Sequence, residues 1–169
     1  MKKLSLLILL FLFTSFSFAN SITNNYAEKR VIGFEKLIND NQNKSILKKL
    51  MAVNNFFNQI SYKDDKETWG KKDYWAKPKE FLAKGAGDCE DYALAKLYAL
   101  NKLGIPQDKF KLIYSKIKKN EKPHMVLAYY YNPKKEPLIL DNFNKKIFLK
   151  NKRDDLEYIY AFNTIMLNK

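Results

Sequence analysis

Residues 85–103 read GAGDCEDYALAKLYALNKL, and this stretch decides how the rest of the chain is interpreted. Two glycines predict a tight loop, after which Asp88 suits the N-cap of a helix and Asp91 suits the N3 position of a capping box. The apolar residues that follow recur at helical spacing: Tyr92, Ala93, Leu97, Leu100 and Leu103. The pattern predicts a helix over residues 89–103 with Cys89 at its first position.

Cys89 is a candidate nucleophile because of that position. Unpaired N–H groups and the positive end of a helix favour a thiolate and can stabilise a developing oxyanion. A small residue that begins a helix is the alternative. Asp88, Glu90 and Asp91 oppose the thiolate by like-charge repulsion. Either a bound hard cation such as Ca²⁺ or a solvated acidic helix start would explain these carboxylates.

The rest of the chain predicts helices first and strands afterwards. Apolar residues at helical spacing predict helices over 26–39 and 43–58, and Pro78 opens a short helix over 78–84. Five segments after Pro106 have the apolar and aromatic content of strands: 109–117, 124–131, 138–141, 145–150 and 158–162. This order predicts an α+β fold in which the helices pack on an antiparallel sheet.

His124 and Asp141 are the candidate partners of Cys89. His124 begins the most apolar strand, and Asp141 ends the strand LILD. A carboxylate at that strand end can accept a hydrogen bond from His Nδ1–H and orient the ring. A structural histidine, and turn formation by Asp141 with Asn142, are the alternatives.

Composition excludes several classes of protein. The chain has 169 residues, a formal charge of +13, 46% hydrophobic residues and 15% aromatic residues, which is too apolar for a disordered chain. One cysteine excludes a disulfide within the chain, and one Cys with one His cannot supply a Cys/His zinc site. Because the lysines are spread over most segments, we predict no nucleic-acid partner.

Residues 1–19, MKKLSLLILLFLFTSFSFA, have the features of a signal peptide. Two lysines precede an apolar run, and Ser17 and Ala19 place small residues at the −3 and −1 positions. An uncleaved anchor is the alternative, although the run is short for a bilayer span. We predict cleavage after Ala19, export, no membrane insertion afterwards, and one domain over 20–169. Loss of Lys2 and Lys3 lowers the formal charge from +13 to +11.

Four motifs carry a resemblance to a known family. They are Trp75-x-x-Pro78-x-Glu80-Phe81-Leu82, GDCEDY at 87–92, HMVL at 124–127 and LDN at 140–142, with RDDL at 153–156 and Tyr160-x-Phe162-Asn163 as weaker matches. Together they resemble the bacterial transglutaminase-like cysteine proteases of the LapG type. The resemblance implies a papain-like transglutaminase core with Cys89 as nucleophile, His124 as general base and Asp141 as its orienting group. It also implies dependence on Ca²⁺, with Asp88 and Glu90 as ligands.

The same resemblance implies a biological role. Proteases of this type are periplasmic endopeptidases that cleave the N-terminal region of a large surface adhesin at a di-alanine site, which releases the adhesin and disperses biofilm. An inner-membrane cyclic-di-GMP receptor sequesters them. Two alternatives remain open from the residues: a transglutaminase or other amide-modifying enzyme, and a non-catalytic basic periplasmic binding module.

Overall fold

The computed structural model describes residues 25–164, and its helices follow the predicted order. The first helix, α1, covers 25–41. The other helices are α2 (Ile46–Phe57), α3 (Asp65–Thr68), α4 (Pro78–Lys84) and α5 (Cys89–Lys102). The signal peptide predicted over 1–19 lies outside the described residues. Within 25–164, no helix combines the length and apolar character that a membrane crossing requires.

Five strands form the main sheet: β3 (Phe110–Ile117), β4 (Lys122–Tyr129), β5 (Leu138–Leu140), β6 (Phe148–Leu149) and β7 (Leu156–Asn163). The sheet is antiparallel, with the strand order β6-β5-β4-β3-β7. The predicted α+β class is therefore confirmed. The central strand β4 begins two residues earlier than predicted, because Lys122 and Pro123 pair with Ile117 and Lys116 of β3.

The core lies between α5 and the sheet. The five residues predicted to form the apolar face of α5 are all buried: Tyr92, Ala93, Leu97, Leu100 and Leu103. This helix packs on β4 and against α2. Six of the eight residues of β4 are buried, as expected for a central strand covered by a helix. The packing holds the start of α5 next to the first residues of β4.

A short parallel pair of strands precedes α5, and the sequence pattern does not predict it. The strands are β1 (Ser61–Tyr62) and β2 (Ala86–Gly87), and Tyr62 is in register with Gly87. A Cβ atom at Gly87 would lie 2.8 Å from the Phe81 ring and would also overlap the Asp91 carboxylate. Only glycine therefore allows the chain to enter α5 along this path.

Candidate active site

Cys89 is the first residue of α5, as predicted, and Asp88 is the N-cap residue in an extended conformation. The predicted capping box is wrong. The Asp88 side chain makes no cap hydrogen bond, and Asp91 Oδ1 instead accepts a hydrogen bond of 2.7 Å from the Ala76 N–H. Asp91 thereby ties the segment before α4 to the start of α5. Because the Asp88 carboxylate does not cap the helix, it lies beside the carboxylates of Asp65 and Glu90.

The Cys89 thiol lies in a negative environment. Its Sγ donates to Glu90 Oε2 at 3.2 Å. Burial, followed by the charge of Glu90, raises the pKa of the Cys89 thiol far above its ordinary value, and a hydrogen bond from the Met125 backbone opposes the shift only partly. These surroundings therefore favour the protonated thiol, which is a poor nucleophile.

His124 is buried in β4 and bonds to Asp141. Its Nε2 lies 2.7 Å from Asp141 Oδ1. On the adjacent strand, Ser115 Oγ donates to the His124 carbonyl at 3.0 Å, which helps to fix the backbone behind the ring. The expectation that Asp141 would bond Nδ1 is wrong, since it bonds the distal Nε2. This arrangement leaves Nδ1 as the ring nitrogen available for a second partner.

Asp141 follows β5 and is held by partners on every side. Its Oδ1 also accepts from the Phe143 N–H at 2.9 Å, its Oδ2 accepts from Arg153 at 2.6 Å, and its carbonyl accepts from the Asn58 amide at 2.8 Å. Although burial opposes ionisation, the hydrogen bonds and charges of His124 and Arg153 hold the pKa of Asp141 well below its usual range. The carboxylate therefore stays ionised and fixes the orientation of the ring.

Arg153 is a site residue that sequence reasoning did not identify. Its side chain is 1% exposed and bridges Asp141 to Asp155, with a distance of 2.7 Å from its NH2 group to Asp155 Oδ2. The RDDL motif at 153–156 counted only as a part of the family resemblance. Nothing in its spacing shows that Arg153 reaches a carboxylate twelve residues earlier.

Cys89 and His124 line the same cleft, which has a volume of about 470 Å³. Aromatic side chains form the wall of this cleft: Trp75, Tyr114, Tyr160 and Phe162. The Tyr114 and Tyr160 rings stack with centroids 5.1 Å apart. A second cavity of about 370 Å³, lined by Tyr62 and Phe143 among others, also borders His124. His124 therefore borders both cavities.

Three carboxylates beside Cys89 could hold a metal ion. They belong to Asp65, Asp88 and Glu90, and one oxygen from each lies within 4.8 Å of the others. Burial and then the charge of Glu90 raise the pKa of Asp88 to about 9, and burial raises the pKa of Asp65. One buried oxygen of Asp65 and one of Asp88 have no hydrogen-bond partner within residues 25–164.

This donor set suits a hard cation, because carboxylate oxygens are the preferred ligands of Ca²⁺ and a bound cation removes their mutual repulsion. The family resemblance implied Asp88 and Glu90 as ligands but not Asp65. Asp65 comes from α3, in a polar loop more than twenty residues earlier, and accepts a hydrogen bond from the Tyr74 N–H. No local spacing connects it to Cys89.

The sequence model of a family described as bacterial transglutaminase-like cysteine proteinase matches residues 22–164. The solved structure of Legionella pneumophila LapG has 37% sequence identity and a TM-score of 0.75, covering 85% of this chain and 81% of that chain. Its calcium-bound form has 37% identity and a TM-score of 0.76, covering 86% and 82%.

An EGTA-treated form of Legionella pneumophila LapG has 37% identity and a TM-score of 0.76, covering 85% of this chain and 79% of that chain. A Cytophaga hutchinsonii protein described as a cysteine protease has 17% identity and a TM-score of 0.55, covering 78% and 42%, and shares the fold. Comparison with curated proteins gives no match.

Proposed function

The chain belongs to the bacterial transglutaminase-like cysteine proteinases, and from this premise we propose that it is a periplasmic endopeptidase that cleaves the N-terminal region of a large surface adhesin at a di-alanine site. The main support for this site is the 2.7 Å hydrogen bond between His124 and Asp141. His124 lines the same cleft as Cys89. Cys89 is the nucleophile, His124 the general base and Asp141 the orienting carboxylate.

The reaction is acyl transfer to water. The Cys89 thiol passes its proton to His124 Nδ1, and Sγ attacks the peptide carbonyl carbon. N–H groups at the start of α5, including that of Cys89, stabilise the oxyanion. The tetrahedral intermediate collapses, the C–N bond breaks, and His124 protonates the departing amine. His124 then takes a proton from water, and the water oxygen attacks the thioester carbonyl carbon. The C–S bond breaks, the carboxylic acid product leaves, and His124 returns the proton to the Cys89 sulfur.

We propose Ca²⁺ as the cofactor, held by Asp65, Asp88 and Glu90. Support comes from the crowded carboxylates and from the calcium-bound and EGTA-treated forms in which Legionella pneumophila LapG has been solved. Calcium supplies positive charge that neutralises the acids on both sides of the nucleophile. A Glu90 carboxylate that binds calcium would no longer accept the hydrogen bond from the Cys89 thiol, and it would therefore no longer favour the protonated thiol.

The biological setting is part of the proposal. Cleavage after Ala19 would deliver the mature domain to the periplasm, where release of the adhesin disperses biofilm. An inner-membrane cyclic-di-GMP receptor would sequester the protease. The support for these statements is the signal-like sequence of 1–19 and the membership of the family.

The proposal is tested with purified mature protein and an adhesin N-terminal fragment, with calcium or with EGTA. We expect cleavage at the di-alanine site with calcium and little with EGTA. Cys89→Ala should abolish cleavage while its circular dichroism spectrum stays unchanged. Retained proteolysis in Cys89→Ala would refute the nucleophile. Incorporation of an added amine without release of a fragment would instead indicate a transglutaminase.

A further inference from the structure

A row of side chains crosses the sheet from the nucleophile to the sheet edge. Met125 of β4 lies opposite Tyr114 of β3, and Tyr114 lies opposite Tyr160 of β7. Side chains at directly opposite positions point to the same face of a sheet. Met125 lines the cleft together with Cys89, and β7 is the last strand in the sheet order. The row therefore begins beside Cys89 and ends at the open edge of the sheet.

The aromatic rings at this end of the sheet pack on one another and are partly open to solvent. Tyr114 and Tyr160 stack at an angle of 18°, and the Phe162 centroid lies 6.0 Å from that of Tyr160. Trp75, from the segment before α4, has its centroid 6.4 Å from that of Phe162. Tyr160 is 56% exposed and Trp75 is 39% exposed. We call Tyr114, Tyr160 and Phe162 the aromatic shelf. Grouped exposed rings favour binding of an apolar ligand, which removes them from water.

The aromatic shelf belongs to the same cleft as the reacting groups. Cys89 and His124 line this cleft together with the shelf, whereas the second cavity is lined by His124 without Cys89. In a cysteine proteinase the acyl part of the substrate becomes bonded to the thiol, and the amine part takes its proton from the histidine. This difference favours the cleft with the shelf for the acyl part and the second cavity for the amine part.

The strand spacing indicates which substrate residue meets the shelf. Met125 and Tyr160 are two strands apart, and adjacent strands are separated by about 4.8 Å, so the row is about 10 Å long. An extended peptide advances about 3.3 Å per residue, so about three residues cover this distance. A substrate that crosses the strands from Cys89 therefore brings the third or fourth residue before the scissile bond over Tyr160.

We propose that the aromatic shelf, with Trp75, is a subsite for an uncharged apolar side chain on the acyl side, at the third or fourth residue before the scissile bond. Tyr160 determines the specificity, because it lies at the sheet edge and has the most exposed ring of the shelf. An acidic side chain would lose hydration against the rings without gaining a partner. The role of the subsite in adhesin cleavage rests on the proposed function, whereas the subsite itself can be measured through the Cys89 thiol alone.

The first experiment measures the alkylation of Cys89 by tetrapeptide chloromethyl ketones, in the mature protein with calcium. The Cys89 sulfur displaces chloride and forms a thioether, and these reagents present their peptide on the acyl side. One position of the peptide carries leucine, aspartate or lysine, and the others carry alanine. We expect leucine at the third or fourth position from the ketone to react about tenfold faster than aspartate there. Aspartate or lysine reacting as fast as leucine at both positions overturns the proposal, as does a leucine preference confined to the first two positions.

Variants of Tyr160 identify the subsite. Tyr160→Thr removes the ring but keeps a residue suited to a strand, and it should abolish the leucine preference, whereas Tyr160→Phe should keep it. Tyr131→Thr is the matched control, because Tyr131 is also an exposed tyrosine (54%) but follows the other end of β4, and it should preserve the preference. A purely structural role of Tyr160 would slow all peptides equally, and an unchanged preference in Tyr160→Thr contradicts the proposal. If Tyr160→Thr does not fold, the wild-type series decides.

The second experiment places leucine or aspartate at the third and fourth residues before the scissile bond of the adhesin fragment. We expect aspartate to lower kcat/KM of the wild type about tenfold, mainly through KM, and to change that of Tyr160→Thr much less. If neither fragment is cleaved but the alkylation series shows the leucine preference, the proposed function fails and the subsite stands. If both fragments are cleaved equally well and the alkylation series shows no preference, only the subsite fails.

Discussion

Asp141 is tightly constrained, because its carboxylate is buried among donors from three different segments. His124 comes from β4, Arg153 from the turn before β7, and the Phe143 N–H from the loop after β5. An ionised carboxylate is tolerated at such a position only when its partners offset the lost hydration. Under the proposed mechanism, stability and catalysis therefore depend on the same contacts.

Replacement of Arg153 by Met should be strongly destabilising. The variant leaves the buried Asp141 carboxylate without its guanidinium, which typically costs about 3 to 5 kcal/mol. Asp155→Asn is the matched control, because the Asp155 side chain is 36% exposed and its pairing is worth about 1 kcal/mol or less. Urea unfolding with calcium present measures both free energies. Equal losses in the two variants would contradict this account of Arg153.

The low pKa of Asp141 has a consequence for stability at acidic pH. A carboxylate with a folded-state pKa below its unfolded value stabilises the fold above about pH 4, and this stabilisation is lost as pH falls through the folded-state pKa. The difference in unfolding free energy between the wild type and Asp141→Asn should therefore shrink between about pH 5 and pH 2. Urea unfolding across this range measures it. A difference that is constant with pH would show that the charge of Asp141 does not contribute.

The candidate site residues that the sequence predicts are chemically unique or lie in a local motif. Cys89 and His124 are the only residues of their types, and Asp141 ends an apolar strand. Arg153 and Asp65 could not be predicted, since each reaches the site from a distant segment through tertiary contacts. The burial of Lys96 could not be predicted either, because a lysine in a helix normally indicates a solvated surface.

Gly87 shows how one element depends on a single small residue. It belongs to β2, packs against the Phe81 ring and the Asp91 carboxylate, and leads directly into the N-cap of α5. Gly87→Ala should cost about 1 to 3 kcal/mol and lower cleavage, because the added methyl group must displace the start of α5. Thermal unfolding and the adhesin assay measure the two effects.

Gly70 provides the matched control for Gly87→Ala. Its φ of +67° is unfavourable for alanine, but a Cβ atom there would meet nothing within 4 Å. Gly70→Ala should therefore lower stability by about 1 kcal/mol from backbone strain alone and leave cleavage unchanged. If Gly87→Ala behaves like Gly70→Ala, the close approach at Gly87 is not important for the site.

At the scale of elements, periodic segments are predictable and short pairings are not. The helical spacing of the apolar residues predicts which face of α5 is buried. The bounds of α4, Pro78–Lys84, match the prediction because a proline marks its start and a glycine follows its end. The strands β1 and β2 have two residues each, too few for any period. The capping box was wrong because Asp91 finds the Ala76 N–H, a partner supplied by tertiary structure.

The whole molecule forms its cleft from segments that are far apart in sequence. The helical half contributes Cys89, Trp75 and the loop that carries Asp65, and the sheet contributes His124 and the Tyr160 ring. The proposed calcium site connects two parts of the helical half, since Asp65 begins α3 whereas Asp88 and Glu90 flank Cys89 at the start of α5. An ion at this place would fix the loop next to the nucleophile.

Removal of calcium should therefore lower the thermal stability of the protein as well as its activity. An ion at a concentration one hundred times its dissociation constant adds about 2.7 kcal/mol to the free energy of unfolding, which corresponds to a rise in Tm of about 5 to 10 °C for a domain of this size. EGTA should remove this increment, and it should leave the repulsion among the three carboxylates uncompensated. Asp65→Asn should reduce the difference in Tm between calcium and EGTA. Asp64→Asn, which alters an exposed neighbouring carboxylate, should preserve it. If calcium raises the Tm of wild type and Asp65→Asn equally, the ion binds without Asp65 and the proposed ligand set is wrong.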